Sequence, residues 1–291
     1  MTSSCCGLDY HHHAILPGYR ARLDAWGIGA QPGVPFPAWT PEGSLAWMDD
    51  AAVDRALLSV GSPGFYFGDQ SVTTALTEIC NAELAELRDR WPERFGIFAT
   101  VPLPELATAL AQVERALEVD GFDGVGLLTQ YGGRYLGDRA WDELYVLLNE
   151  RGALAHVHPT VPEGWDPQAP VRPSVLDYPF ETTRAILELA RQRVFSRYPA
   201  IRWVFSHGGG TFGALADRMS GSDPAAPIAG GDSMRDLLFA SRFDSALVGS
   251  AGLAALAVVA GTERIVFGSD LPFVSAGRIA RDRAALQNLS E

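Results

Sequence analysis

The chain has 291 residues, enough for one large α/β barrel or two ordinary domains. Hydrophobic residues make up 47% and charged residues 20%, a globular balance that argues against wholesale disorder. With 35 acidic against 23 basic residues the net charge is -12, which disfavours a nucleic-acid or anionic-membrane surface.

Taken in chain order, the patterning predicts a strand at Leu8–His11 and a Gly/Pro-rich loop over Trp26–Pro41. A helix at Ser44–Ala52, a strand at Ala56–Val60 and a helix at Asp69–Arg90 follow. The strand Phe95–Thr100 leads to the helix Glu105–Glu118, the strand Gly124–Leu128 to the helix Arg139–Arg151, and the strand Leu154–His158 to the helix Phe180–Phe195. After a strand at Ile201–Ser206 come the helix Phe212–Met219 and a second Gly/Pro-rich loop over Ser220–Asp232. Strands at Arg242–Ala246 and Ile265–Gly268 flank the helix Gly252–Ala260, and no closing helix is evident before Ser290-Glu291.

In the long helix, Leu76, Ile79, Cys80, Leu84 and Leu87 fall three or four apart, so one face is buried. Trp91-Pro92 ends it, because proline cannot continue the hydrogen-bond ladder. Strands alternating with helices imply parallel pairing through right-handed crossovers. Eight such units in this length point to a single (β/α)8 TIM barrel spanning residues 1–291, with loop insertions near 26–41 and 220–232. A doubly wound open sheet competes with it, but no G-x-G-x-x-G follows a strand.

Several chemistries are excluded. The chain contains no lysine, which removes Schiff-base chemistry, a phosphate-binding loop lysine and a carboxylated-lysine metal bridge. No apolar run reaches the roughly 18–20 residues of a membrane span, and the N-terminal six residues lack the regions of a signal peptide. Cys5, Cys6 and Cys80 make no disulfide framework, so a cytoplasmic location is expected.

All six histidines fall at or near strand ends, where a parallel barrel gathers its chemistry. In Asp9-Tyr10-His11-His12-His13, alternation puts His11 and His13 on one side and His12 on the other. His158 closes the fifth strand, His207 follows the sixth and Asp270 the eighth. Three imidazoles and a carboxylate suit one divalent ion; Zn²⁺ favours such N and O ligands, and ligand type alone also admits Mn²⁺, Fe²⁺ or Co²⁺. His156 shares the facing of His158 one layer deeper, which suits a hydrogen-bonded supporting role rather than ligation. His12 is expected to point into the helical layer.

With Asp9-Tyr10-His11-His12-His13, His158-Pro159, His207-Gly208-Gly209-Gly210, Phe243-Asp244-Ser245-Ala246 and Gly268-Ser269-Asp270-Leu271-Pro272-Phe273 in hand, the chain resembles a known family. It is similar to the amidohydrolase-related family that includes aminocarboxymuconate-semialdehyde decarboxylase and γ-resorcylate decarboxylase. The resemblance implies that His11, His13 and His158 hold a single metal ion, with Asp270 as a further ligand or base and His207 moving protons at the substrate. It also implies a homodimer. Thr160 stands where the family usually places a tryptophan after His158-Pro159, and His156 where it usually places an aliphatic residue.

The expected function is non-oxidative decarboxylation of an aromatic or enol-like carboxylic acid. Arg20, Arg22 and Arg55 are candidates to pair with the substrate carboxylate, and Phe65, Tyr66 and Trp165 to stack on a planar small molecule. A second reading keeps the site and changes the reaction to hydrolysis or cyclodehydration of a lactone, ester or amide. A third is a small-ligand-binding barrel without turnover. Carbon dioxide release separates the first from the others.

Overall fold

The computed structural model describes residues 7–221 and 223–289. Its main sheet has eight parallel strands: β1 (Leu8–His13), β2 (Arg55–Ser59), β3 (Phe95–Thr100), β4 (Gly124–Leu128), β5 (Leu154–His158), β6 (Arg202–Phe205), β7 (Ser241–Asp244) and β8 (Ile265–Val266). Each pairs with the next in chain order. The first and last strands meet through Tyr10 N–H donating to the Phe267 carbonyl (3.0 Å), Asp270 N–H to His11 (2.8 Å) and His13 N–H to Leu271 (2.7 Å). The sheet is thereby a nearly closed (β/α)8 barrel. A small hairpin of Gln130–Tyr131 and Arg134–Tyr135 sits in the loop after β4.

The strands form because they are apolar on both faces, as a helix-covered parallel sheet requires; β3 and β5 are buried throughout. Around them lie α1 (Pro17–Ala25), α2 (Pro41–Asp50), α3 (Gln70–Arg90), α4 (Leu106–Glu118), α5 (Asp142–Glu150), α6 (Asp177–Arg191), α7 (Val194–Arg197), α8 (Phe212–Ser220), α9 (Met234–Ala240), α10 (Gly249–Ala260) and α11 (Ala276–Asn288). Capping sets the starts of α2 and α3: the Thr40 hydroxyl accepts from Gly43 N–H, and the Asp69 carboxylate from Ser71 and Val72.

Three helices depart from the sequence expectation. The patterning missed α1 and α9, and the apparent lack of a closing helix is corrected by α11. In α1 only Tyr19 and Leu23 are buried, and in α11 only Ile279, Asp282 and Leu286, so their apolar stripes are too thin to show a period. Residues 26–40 form a loop with a single bridge between Gln31 and Val34, and the second loop holds a short turn at Ile228–Gly230. Cys80 is buried in α3, whereas Cys5, Cys6, Ser290 and Glu291 lie outside the described residues. No described helix is long and apolar enough to cross a membrane.

Two packed layers hold the site. Between sheet and helices lie large side chains such as Trp203, Phe205, Phe195 and Tyr145. A separate cluster of Leu57, Phe98, Leu154 and Val204 lies on the strand faces that carry His156, and the His156 ring stacks on Phe98 at 5.2 Å. The cluster is apolar, so the polar groups gather above it at the carboxyl ends of the strands.

Candidate metal centre and active site

Four side chains from three strand ends converge. One donor atom each from His11, His13, His158 and Asp270 lies within 4.8 Å of the others, and all four residues are buried. The Nε2 atoms of His11 and His13 stand 2.9 Å apart, with Asp270 Oδ1 at 3.5 and 3.1 Å. Donors about 2.1 Å from a shared ion stand about 3.0–3.4 Å from one another. The His158 ring is 4.8 Å from that of His13 and 5.2 Å from that of His11.

The other ring nitrogens fix which atom faces inward. His158 Nδ1 donates to the Pro159 carbonyl at 2.7 Å, and His11 Nδ1 donates to Asp244 Oδ2 at 2.9 Å, leaving each Nε2 lone pair for the centre. His13 Nδ1 lies 3.3 Å from Ser59 Oγ. Burial pushes the imidazoles of His13 and His158 down, so they stay neutral donors. Burial acts the same way on His11, but Asp244 and Asp270 outweigh it and pull that imidazole up to about 9. Asp270 is held well below the usual carboxylate range: burial works to raise it, and the His11 charge with the imidazoles of His13 and His207 prevails. The cluster therefore calls for positive charge between its donors, and its donor set fits a divalent cation.

Asp244 and Asp9 are the anchors that residue-type reasoning did not single out. Asp244 is fully buried; its Oδ1 accepts from the backbone N–H of His207 and Ala246 while Oδ2 accepts from His11. Asp9 Oδ1 accepts from the N–H groups of His11 and Ser269, tying β1 to the segment carrying Asp270. Both belonged to strand-end motifs already visible in the sequence, which was the available signal. Two glycines matter sterically: a Cβ on Gly61 would sit 2.6 Å from His13 Cε1, and one on Gly268 2.9 Å from the Cβ atoms of His11 and Asp244.

The remaining histidines separate by facing. His12 turns into the helical layer, with Nδ1 3.1 Å from Asp9 and Nε2 2.8 Å from Ser44 Oγ. His156 sits below the centre, its Nε2 3.6 Å from Asp244 Oδ2; burial, offset in part by Asp244, pushes it down to about 4. His207 Nε2 approaches Asp270 Oδ2 at 3.4 Å, and its ring is 5.7 Å from that of His158.

A cavity of about 300 Å³ opens over this cluster. His158, His207 and Asp270 line its floor, Ser62, Tyr178 and Phe273 one side, and Ala214, Val248 and Leu256 the apolar wall from α8 and α10. A neighbouring cavity of about 780 Å³ is lined by Tyr66, Gln130, Thr160 and Glu163. The other candidate substrate contacts lie elsewhere. Arg20 bonds Asp24 at 3.0 Å on the outside of α1. Arg55 pairs with Asp123 at 2.9 Å, at the end of β2 remote from the centre, and Arg22 borders a small cleft beside α3. Phe65 packs against Tyr19, because its loop turns the ring into the core, and Trp165 Nε1 donates to Asp177 at 3.1 Å.

Known proteins resemble this chain in sequence and in fold. A family model described as amidohydrolase matches residues 8–291. A 6-methylsalicylic acid decarboxylase of Penicillium expansum is 35% identical over 279 residues, 91% of this chain and 84% of that protein. A solved structure of an amidohydrolase II superposes with a TM-score of 0.86 at 28% identity, over 96% of this chain and 90% of the other. A dihydroxybenzoic acid decarboxylase from Polaromonas sp., solved with bound manganese and 2-nitroresorcinol, shares the fold: TM-score 0.81 at 18% identity, over 97% and 96% of the two chains. The chain belongs to the amidohydrolase family and is an enzyme of its carboxy-lyase branch.

Proposed function

We propose that this protein decarboxylates a single-ring hydroxyaromatic carboxylic acid without an oxidant, using one divalent ion held by His11, His13, His158 and Asp270. The observation that carries the reading is that donor set on the floor of a cavity of about 300 Å³, a size at the lower end for small-molecule sites. The aliphatic wall of Ala214, Val248 and Leu256 suits a ring bearing an alkyl group, and the Penicillium relative acts on a methylated salicylic acid. Zinc is the ion we assign from three imidazoles and one carboxylate; the Polaromonas neighbour holds manganese.

A bound divalent ion supplies Lewis-acid polarisation of the substrate's oxygens. His207 carries the proton. Its Nε2 faces Asp270 at 3.4 Å and lines the cavity, so the imidazole delivers a proton to the ring carbon bearing the carboxylate. The C–C bond then breaks, its electron pair restores the aromatic ring, and carbon dioxide leaves. One proton is consumed for each carboxylate lost. The apolar wall and Phe273 keep water from the reacting carbon.

A homodimer in the cytoplasm completes the reading; the apolar groove beside α8 and α10, bordered by Pro224, Leu238 and the exposed Val258, is the face we assign to the second copy. Metal-loaded protein given 6-methylsalicylic acid should release carbon dioxide and 3-methylphenol in equal amounts. Turnover that consumes or produces water with no carbon dioxide would overturn the decarboxylase reading in favour of a hydrolase or cyclodehydrase.

A further inference from the structure

Anionic substrates are usually gripped by arginine, whose forked guanidinium pairs with a carboxylate. Among the described residues no arginine lines the cavity over the metal cluster, and the chain has no lysine to take that role. A hydroxyl pair is there instead. Ser62 Oγ and Tyr178 Oη stand 2.6 Å apart, both residues are buried, and both line the cavity. They come from separate segments, Ser62 from the loop after β2 and Tyr178 from the first turn of α6, and the Tyr178 ring lies 6.3 Å from that of His158.

Two hydroxyls carry two protons, and their mutual hydrogen bond uses one. The pair keeps a second O–H to offer the cavity. A phenol ionises well above neutrality, so the Tyr178 hydroxyl is a neutral donor across the working range. A neutral donor binds a carboxylate without cancelling its charge. It also leaves any second carboxylate without a counter-charge in a pocket whose far wall is aliphatic.

Resting on the decarboxylase reading, we propose that Tyr178, oriented by Ser62, donates to the substrate carboxylate in place of a cationic clamp. The site is thereby selective for aromatic acids with a single carboxylate.

The test uses full-length metal-loaded protein with Tyr178→Phe and Ser62→Ala. Tyr178→Phe should raise KM for 6-methylsalicylic acid about tenfold or more, in line with a lost hydrogen bond to a charged group. Metal content by elemental analysis and affinity for 3-methylphenol, which has no carboxylate, should stay unchanged. Ser62→Ala should act the same way but more weakly, and it keeps the test alive should Tyr178→Phe fold poorly. The wild type should prefer 6-methylsalicylic acid over 4-hydroxyisophthalic acid by about a hundredfold in kcat/KM, as expected for an uncompensated buried charge. An unchanged KM, an equal loss of phenol affinity, or dicarboxylate turnover as fast as monocarboxylate would overturn the proposal. Should no acid release carbon dioxide, calorimetric binding of 6-methylsalicylic acid still decides: weaker binding to Tyr178→Phe keeps the clamp while the decarboxylase reading falls.

Discussion

His207 and Asp270 meet at 3.4 Å, and both hold left-handed backbone angles, φ 53° and 57°. Such conformations cost about 1–3 kcal/mol each in non-glycine residues and persist where the surroundings over-determine them. Asp244 accepts from His207 N–H, and His11 accepts from Asp270 N–H, so the two bends are tied to the residues they serve. Asparagine tolerates this backbone and cannot shuttle a proton. His207→Asn is therefore expected to keep its thermal midpoint within a few degrees while kcat falls about 10²–10⁴-fold. Melting curves and carbon dioxide release check both halves; a variant with near-normal kcat would remove His207 from proton transfer.

Asp244 sits behind His11 and is not itself among the residues that line the cavity. Asp244→Asn keeps the shape and removes the charge that supports the ligand's donor nitrogen. Metal affinity, measured by competition with a chelator, should drop about 10–100-fold. An unaltered affinity would show that the carboxylate only shapes the backbone around His207.

Adjacent histidines on β1 should respond in opposite ways. His11→Ala is expected to abolish metal retention in elemental analysis. His12→Leu should leave one ion per chain, yet unpair Asp9 Oδ2 and the Ser44 O–H, whose oxygen still accepts from Trp39 Nε1, and lower stability by about 1–3 kcal/mol in chemical denaturation. Loss of the ion from His12→Leu would contradict the facing of the first strand.

A methyl group placed beside the centre probes its tightness. In Gly61→Ala the new Cβ would meet His13 Cε1 at 2.6 Å and His158 Cε1 at 3.2 Å, so two imidazoles must give way. We expect metal affinity to fall at least about tenfold, with the far-ultraviolet circular dichroism unchanged, because misplaced ligands lose geometry before the barrel loses packing. Full retention would mean that the rings move without harm to the site.

The barrel was legible because strands buried on both faces read as unbroken apolar runs, as in Phe95–Thr100. The convergence of imidazoles was legible for the complementary reason: His11, His13 and His158 interrupt such runs, and period-two alternation aimed them inward. Contacts made by tertiary approach were not. Ser62 and Tyr178 lie 116 positions apart, and neither sits in a motif that announces a partner. Phe65 carried the opposite lesson, since an aromatic side chain in a loop near the site is equally suited to packing on Tyr19. The arginines followed suit: Arg20 and Arg55 spend their charge on Asp24 and Asp123 outside the cavity.

The seam where β1 meets the segment after β8 has a bearing on biogenesis. His11 and His13 precede Asp270 by more than 250 positions, and backbone bonds across this junction bring them side by side. A nascent chain thus lacks its complete set of donors until the segment after β8 has been made, and their assembly coincides with closure of the barrel.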